Sequence, residues 1–432
     1  MALWAAVLLL PVGAAIRPIR DSSFLWHVRA GALQIETGEV LRSDPFSLLF
    51  AGERWRTQSW LLELLYGLLE TWFEPLSWVN AMRYVFGTAL VALVAVAVLH
   101  KVEDPIRAAA VAGLVGWMAT AVIVPRPVLL SVVFLAAMVV VIDRPAVAWA
   151  AVPLMWVWAA VHGSWTLGLA LLLLAALRSR DGRHWRALGA GLLVVHLTAH
   201  GVAIWSIVLA FLRNRAALQY ISEWGLPDLT DPVLAPIILL LGGAAYGFAT
   251  KRLVLSDLWV VIPFAVYGLT STRSVVLSAV VLAPFVATSL RPKTTVEMPP
   301  QPVWHWGIAV ALVVGSVAFV MTSSAGLDRK VFPPEAQMLT DETFVHDDRL
   351  GGYLIYLGHR SVFVDDRAEL YGAAFFSDYD AALRSADAME SVLDRYGLSR
   401  ALVLSDQAVL RDIDLGWSVE PFSDGYSWLT PP

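Results

Sequence analysis

The chain has 432 residues, of which 58% are hydrophobic and only 16% charged, with a mean hydropathy of +0.65 and a formal net charge of -5. A soluble domain carries about 25% charged residues, so this balance excludes an ordinary soluble enzyme, and no basic tract marks a nucleic-acid binder. Cysteine is absent, which excludes disulfides, thiolate zinc sites, iron–sulfur clusters and a cysteine nucleophile.

Apolar runs approaching the ~20 residues needed to cross a ~30 Å hydrocarbon core recur through the first three quarters. The first, residues 2–16, is short. No basic region precedes it and no small-residue cleavage site follows, so it reads as a retained span rather than a signal peptide. A long polar-aromatic loop, residues 17–74, comes next. Further spans are expected near 76–99, 106–124, 128–142, 147–161, 165–177, 187–199, 233–249, 257–269, 275–290 and 304–321, about eleven with the first. Within a second long loop, 201–232, residues 204–212 suit an interfacial helix.

Short loops carrying Lys101 and Arg107, Arg144, Arg178 to Arg186, Lys251 and Arg252, and Arg291 and Lys293 form the more basic set. That set is cytoplasmic by the positive-inside rule, which puts the amino terminus inside and both long loops and the tail outside. Residues 323–432 hold 9 basic and 19 acidic side chains, net -10, against +5 for the rest. Two domains follow: a membrane domain, 1–322, that includes the loop 17–74, and an acidic α/β domain, 323–432. Strands are expected in the tail at 352–357, 361–364, 401–404, 417–419 and 426–429. A helix should start at Ser377 or Asp378, run to Tyr396 and stop at Gly397.

Isolated polar residues gather at the outer end of these spans: Asp21, His27, Asp44, Arg126, His162, His200, Glu223 and Arg273. Asp21 follows the first span directly. It reads either as the cap of a helix starting near Ser22 or as a general base facing an acceptor hydroxyl. Asp44-Pro45 is a turn or cap by its residue types. Arg126, between two prolines, and Arg273 keep their charge and can grip phosphate bidentately; each could also snorkel to headgroups. His162 and His200 end two spans, where they can hydrogen-bond a phosphate or sugar or offset a helix dipole. His196 and His200 lie four apart but lack a carboxylate at useful spacing for a metal. Glu223-Trp224 fits either sugar binding, with the indole stacked on the ring, or a surface anchor. Asp365-Asp366-Arg367 is a structural Asp–Arg turn or a divalent-metal pair. Walker, Rossmann and nucleophile-elbow motifs are missing.

The order of these features resembles the GT-C superfamily of integral-membrane glycosyltransferases. More narrowly, the chain resembles a set of bacterial membrane proteins through Asp21…Trp26-His27, Gly31, Gly38, Asp44-Pro45-Phe46-Ser47, Arg126-Pro127, Trp158…His162-Gly163, Glu223-Trp224 and Gly351-Gly352-Tyr353…Asp365-Asp366-Arg367…Leu370-Tyr371-Gly372. Gly351 to Arg367 is also similar to the outer domain of oligosaccharyltransferase catalytic subunits. Their Trp-Trp-Asp-Tyr-Gly motif is missing, with Asp348-Arg349-Leu350-Gly351 near its place.

The resemblance implies a polytopic α-helical fold with an extracytoplasmic α/β tail, in a bacterial inner membrane. It implies sugar transfer from a polyprenyl-phosphate-linked donor to an unidentified glycan, lipid or protein acceptor. Asp21 would be the base; Arg126 and Arg273, with His162 and His200, would contact the donor phosphate; His27, Asp44, Glu223 and Trp224 would contact substrate. Fixed positive charge can stabilise a phosphate leaving group, so no metal is required, while a divalent ion such as Mg or Mn remains compatible. The alternatives are a catalytically silent scaffold that holds a partner, and a transporter of a lipid-linked or polar substrate.

Overall fold

The structure, a computed structural model, describes residues 2–291, 303–323, 326–339, 342–414 and 416–432. Lys293, one of the basic loop residues, lies outside them.

In chain order the helices are α1 (Ala2–Ala15), α2 (Ser23–Thr37), α3 (Trp60–Trp72), α4 (Val79–Leu99), α5 (Pro105–Ala119) and α6 (Pro127–Ile142). Then come α7 (Ala151–Val161), α8 (Trp165–Ser179), α9 (Gly182–Val194), α10 (Ile204–Arg213), α11 (Ile237–Ala249), α12 (Leu258–Gly268), α13 (Thr272–Ser289) and α14 (Val303–Thr322). The remainder holds β1 (Val345–His346), α15 (Asp348–Leu357), α16 (Ala368–Ala382), α17 (Ala386–Tyr396), β2 (Ala401–Leu404), β3 (Ser418–Pro421) and β4 (Tyr426–Thr430).

All eleven apolar segments are helical. Among the described residues, only α4 and α13 are long and apolar enough to cross a membrane, or three spans if the bent pair Gly182–Leu197 and Gly201–Arg213 is one. Eight further apolar stretches, the 311–322 part of α14 among them, run 10–17 residues, which at 1.5 Å per residue is about 15–26 Å against a ~30 Å core. The chain is a membrane protein, and among the described residues two or three helices have the length and apolarity of a clear span.

The chain divides into two compact units. The first comprises Met1–Arg17, Ser77–Ile204 and Ser222–Ala325; the second comprises Pro18–Leu76, Trp205–Ile221 and Gly326–Pro432. The division is therefore not a single cut near residue 322, because most of the first loop groups with the tail.

In the first unit α13 is the hub. It packs against α4, α5, α6, α11 and α12, and 83% of its apolar window is buried, against 56% for α4. Close approach uses small residues. Gly243 and Gly247 of α11, spaced GxxxG, face Val286 and Ser289 of α13; a Cβ at Gly247 would stand 2.0 Å from Ser289 Oγ. Backbones that meet this closely gain van der Waals contact that bulkier side chains would prevent. Arg83, 4% exposed, sits inside apolar α4. It donates to Ile123 O at 3.2 Å, Arg17 O at 2.8 Å and Ala14 O, satisfying carbonyls left open where α1 ends.

In the second unit the sheet has the order β1-β2-β4-β3. β1 is parallel to β2 with Val345 opposite Ala401, and β4 is antiparallel to β2 and β3, with Leu429 opposite Ala401 and Thr430 opposite Ser418. Its apolar side chains share one core with α16 and α17, centred on Phe363, Phe375, Tyr379 and Met389. The strands expected at 401–404, 417–419 and 426–429 correspond to β2, β3 and β4.

Residues 352–357 are not a strand but the body of α15. Asp347 caps that helix by accepting the Arg349 N–H at 3.1 Å, and Gly358 ends it in the left-handed region at φ 98. Gly351 and Gly352 are there for proximity, since a Cβ on either would stand 2.1 Å from a carbonyl oxygen, of Val364 and Ser22 respectively. Residues 361–364 make one isolated bridge, Val362 with Ser47. The single helix expected from 377 to 396 is two, α16 and α17, with Ser385 at the start of the second; Gly397 does end it, at φ 64.

Candidate functional site

Three polar clusters emerge, and each lies within one unit.

In the first unit, four of the outer-end residues converge. Arg126 is the residue before α6, Arg273 lies in the first turn of α13, and His162 follows the last turn of α7. The Glu223 carboxylate sits between the guanidinium groups: Arg126 Nη1 is 3.2 and 3.3 Å from its two oxygens, and Arg273 Nη1 is 3.2 Å from Oε1. Arg273 Nη2 reaches His162 Nε2 at 3.1 Å. A guanidinium can only donate, so Nε2 is the acceptor of that contact. The His162 Nδ1 accepts the Ser164 N–H at 3.2 Å and lies 2.9 Å from Ser164 Oγ, to which Trp158 Nε1 also donates at 3.2 Å.

The indole of Trp224 lies 5.4 Å from the Arg273 guanidinium. It stacks on a cation in this structure, and Gly225 O accepts the Thr272 N–H at 2.9 Å, tying the turn to the start of α13. The side chains of Arg126, Arg273 and Glu223 are 21, 20 and 34% exposed, open enough for exchange with a ligand. Two cations, one carboxylate and the positive ends of α6 and α13 leave a net positive cluster suited to an anion. His200, 8% exposed, lies in the turn after α9.

In the second unit, Arg367 is 1% exposed and holds two buried carboxylates. Nη1 donates to Asp44 Oδ1 at 2.6 Å; Nη2 and Nε donate to Asp365 at 2.6 and 2.8 Å. Trp55, Phe46 and Trp26 surround the guanidinium at 4.8, 5.3 and 5.7 Å. Burial alone would lower the Arg367 pKa, but Asp365, then Tyr371 and Asp44, hold it well above the usual range. Asp365 accepts from Arg367 N, Nε and Nη2 and from Tyr371 OH; Asp44 accepts from Arg367, Phe46 N, and Ser47 N and Oγ. A carboxylate offers about four lone-pair directions, so both are saturated. In this structure the Asp44 oxygens are committed to the fold. Asp365 has no direction left for an ion, and Asp366 takes the Trp26 Nε1–H at 2.8 Å.

The third cluster binds α2 to α3. Glu63, fully buried, accepts from His27 Nδ1 at 2.8 Å, Gln34 Nε2 at 2.7 Å and Thr57 Oγ1. His27, placed from the sequence among substrate contacts, is 5% exposed and spent on this interior bond. Asp21, one residue before the N-cap Ser22, accepts the Ser23 N–H at 2.9 Å in an i to i+2 turn at the start of α2.

Beside β1, burial lowers His346 to about 4. Burial and then the neighbouring Asp348 push Asp347 up to about 7, and burial raises Asp348 as well.

Among the described residues no group of three or more His, Asp or Glu side chains is placed to hold a metal ion. Sequence reasoning missed Arg83, Glu63, Gln34 and Thr57. An arginine inside the apolar run 79–99 was the one available signal; the others pair across intervals with no local pattern.

No family model matches the chain, and no curated protein matches it. Among solved structures it is similar to the archaeal oligosaccharyltransferase AglB from Archaeoglobus fulgidus, determined in complex with an inhibitory peptide and a dolichol-phosphate. The match has a TM-score of 0.58 at 11% identity and covers 93% of this chain and 69% of that one. The likeness establishes a fold like that of this oligosaccharyltransferase.

Proposed function

We propose that the chain is a glycosyltransferase that moves a sugar from a polyprenyl-phosphate-linked donor to an acceptor on the extracytoplasmic side of the membrane. The observation that carries this reading is the Glu223 carboxylate held by both Arg126 and Arg273. An oxyanion between two guanidiniums is the arrangement that binds a phosphate, and the carboxylate stands in for the phosphate oxygens. His162 steadies Arg273 from the side. A donor phosphate there gains charge as the sugar departs, and two fixed cations favour that state more than the ground state. The similar archaeal enzyme was solved with a dolichol-phosphate, which supports a lipid-phosphate ligand. Asp21 is proposed as the base from the sequence resemblance; Asp21→Asn keeps an acceptor for the Ser23 N–H and so separates catalysis from the turn contact.

The test is mass spectrometry of lipids that co-purify with the protein in mild detergent, beside an Arg126→Gln, Arg273→Gln double variant. A polyprenyl phosphate or its glycoside in the wild type, at least tenfold depleted in the variant, is expected. Equal amounts in both would sink the donor-site assignment.

A catalytically silent scaffold is the second reading. It is favoured by the saturation of Asp44 and Asp365, which commits the buried carboxylates of the first loop and tail motif to the fold. Transfer activity lost in Asp21→Asn, with folding intact, would remove that reading.

A further inference from the structure

The first unit contains a second concave site, at the other ends of the helices that present Arg126 and Arg273. A cavity of about 140 Å³ opens at the C-terminal ends of α4, α6, α8 and α13 and the start of α12. Arg126 precedes α6 and the cavity takes in Ile142 and Asp143 at its far end; Arg273 begins α13 and Arg291 follows it. At 1.5 Å per residue the two sites stand about 25 Å apart along these helices.

The floor is apolar, formed by Val139, Val260, Val281 and Phe285, and the rim is charged. Lys101 pairs with Asp143, and Arg178 Nε pairs with Asp257 at 2.7 Å while its guanidinium covers the Phe285 ring at 5.2 Å. Those pairs cancel. Arg144 and Arg291 remain, and among the described residues neither is matched by a carboxylate. Arg291 Nε caps the Lys101 carbonyl, which uses one donor and leaves the charge. The lining therefore carries two uncompensated positive charges above an apolar floor. A soluble anion would match the rim alone; a ligand with a phosphate and a hydrocarbon chain matches rim and floor together.

We propose that this cavity is a binding site for the headgroup of an anionic phospholipid, with the phosphate against Arg144 and Arg291 and the first carbons of a chain on Val281 and Phe285. It is separate from the donor site and does not depend on it.

The experiment is a thermal-shift titration of the detergent-solubilised full chain with a short-chain phosphatidylglycerol, the matching phosphatidylcholine, and inorganic phosphate. Arg144 is exposed, so Arg144→Gln spares the interior. Stabilisation by phosphatidylglycerol alone is expected, about fivefold weaker in apparent affinity in Arg144→Gln, the worth of one arginine near an anionic lipid, and unchanged in Arg126→Gln, Arg273→Gln. Equal shifts with both lipids, an Arg144→Gln titration identical to wild type, or inorganic phosphate matching phosphatidylglycerol would each overturn the proposal. If Arg144→Gln melts early without lipid, Arg144→Lys restores the charge and should restore the titration.

Discussion

A single arginine organises the interior of the second unit. Arg367 carries one positive charge against two saturated carboxylates, so removing it strands Asp44 and Asp365 in a dry interior. Breaking such a buried pair from one side costs about 3–5 kcal/mol. Arg367→Met should therefore lower the melting temperature sharply or abolish expression, and Arg367→Lys should rescue only in part, because an ammonium cannot reproduce the fork; calorimetry of the purified variants checks both. His346 and Asp347 act at the same scale, each held towards its neutral form by burial. The fold keeps Asp347 protonated up to about 7, so that group loses stability as pH rises from its ordinary value through 7. It keeps His346 neutral down to about 4, so that group loses stability as pH falls from 6.5 to 4. Between about 4 and 6.5 the two slopes oppose, each at most about 1.4 kcal/mol per pH unit. Asp347→Asn, which keeps the cap, should grow more stable relative to wild type as pH rises through this window, and His346→Gln less stable. Denaturant midpoints across pH that leave both variants parallel to wild type would contradict these two opposed titrations.

At the scale of elements, the apolar helices were legible because a long apolar run has few other uses. The sheet strands 401–404 and 426–429 were legible from alternation and turns. Residues 352–357 misled because glycines beside tyrosine, isoleucine and leucine mimic a strand, whereas the helix depends on the Asp347 cap and on carbonyls that Gly351 and Gly352 allow to come near. The candidate site was legible in part. Shared position at span ends pointed to Arg126, Arg273, His162 and Glu223, but not to the carboxylate lying between the arginines. His27 and Asp44 looked like ligand contacts because their partners, Glu63 and Arg367, lie 36 and 323 residues away. The α2–α3 pair shows how tight such an interface is: a Cβ at Gly31 would stand 1.8 Å from Glu63 O. Gly31→Ala should push the helices apart and loosen the His27–Glu63 bond, at a cost of roughly 1–3 kcal/mol or more. Faster hydrogen exchange in α2 and α3, with α13 unchanged, is the expected readout.

Across the whole molecule, domain boundaries do not follow the chain. The first loop groups with the tail through Arg367–Asp44 and Trp26–Asp366, links between residues more than 300 positions apart that no composition shift announces. The two-to-three clear spans pose a different question, one of thickness. α13 runs 18 residues from Thr272 to Ser289, a rod of about 27 Å with Arg273 in its first turn and Arg291 just past its end, shorter than a ~30 Å hydrocarbon layer. Cations at both tips cannot move inward without losing water, so the membrane has to yield to the rod, by local thinning that costs fractions of a kcal/mol per Å. The protein should then behave as a gauge of its surroundings. Reconstituted in nanodiscs, it is expected to melt higher in 14-carbon than in 18-carbon phosphatidylcholine, a ranking set by the length of one helix rather than by any headgroup.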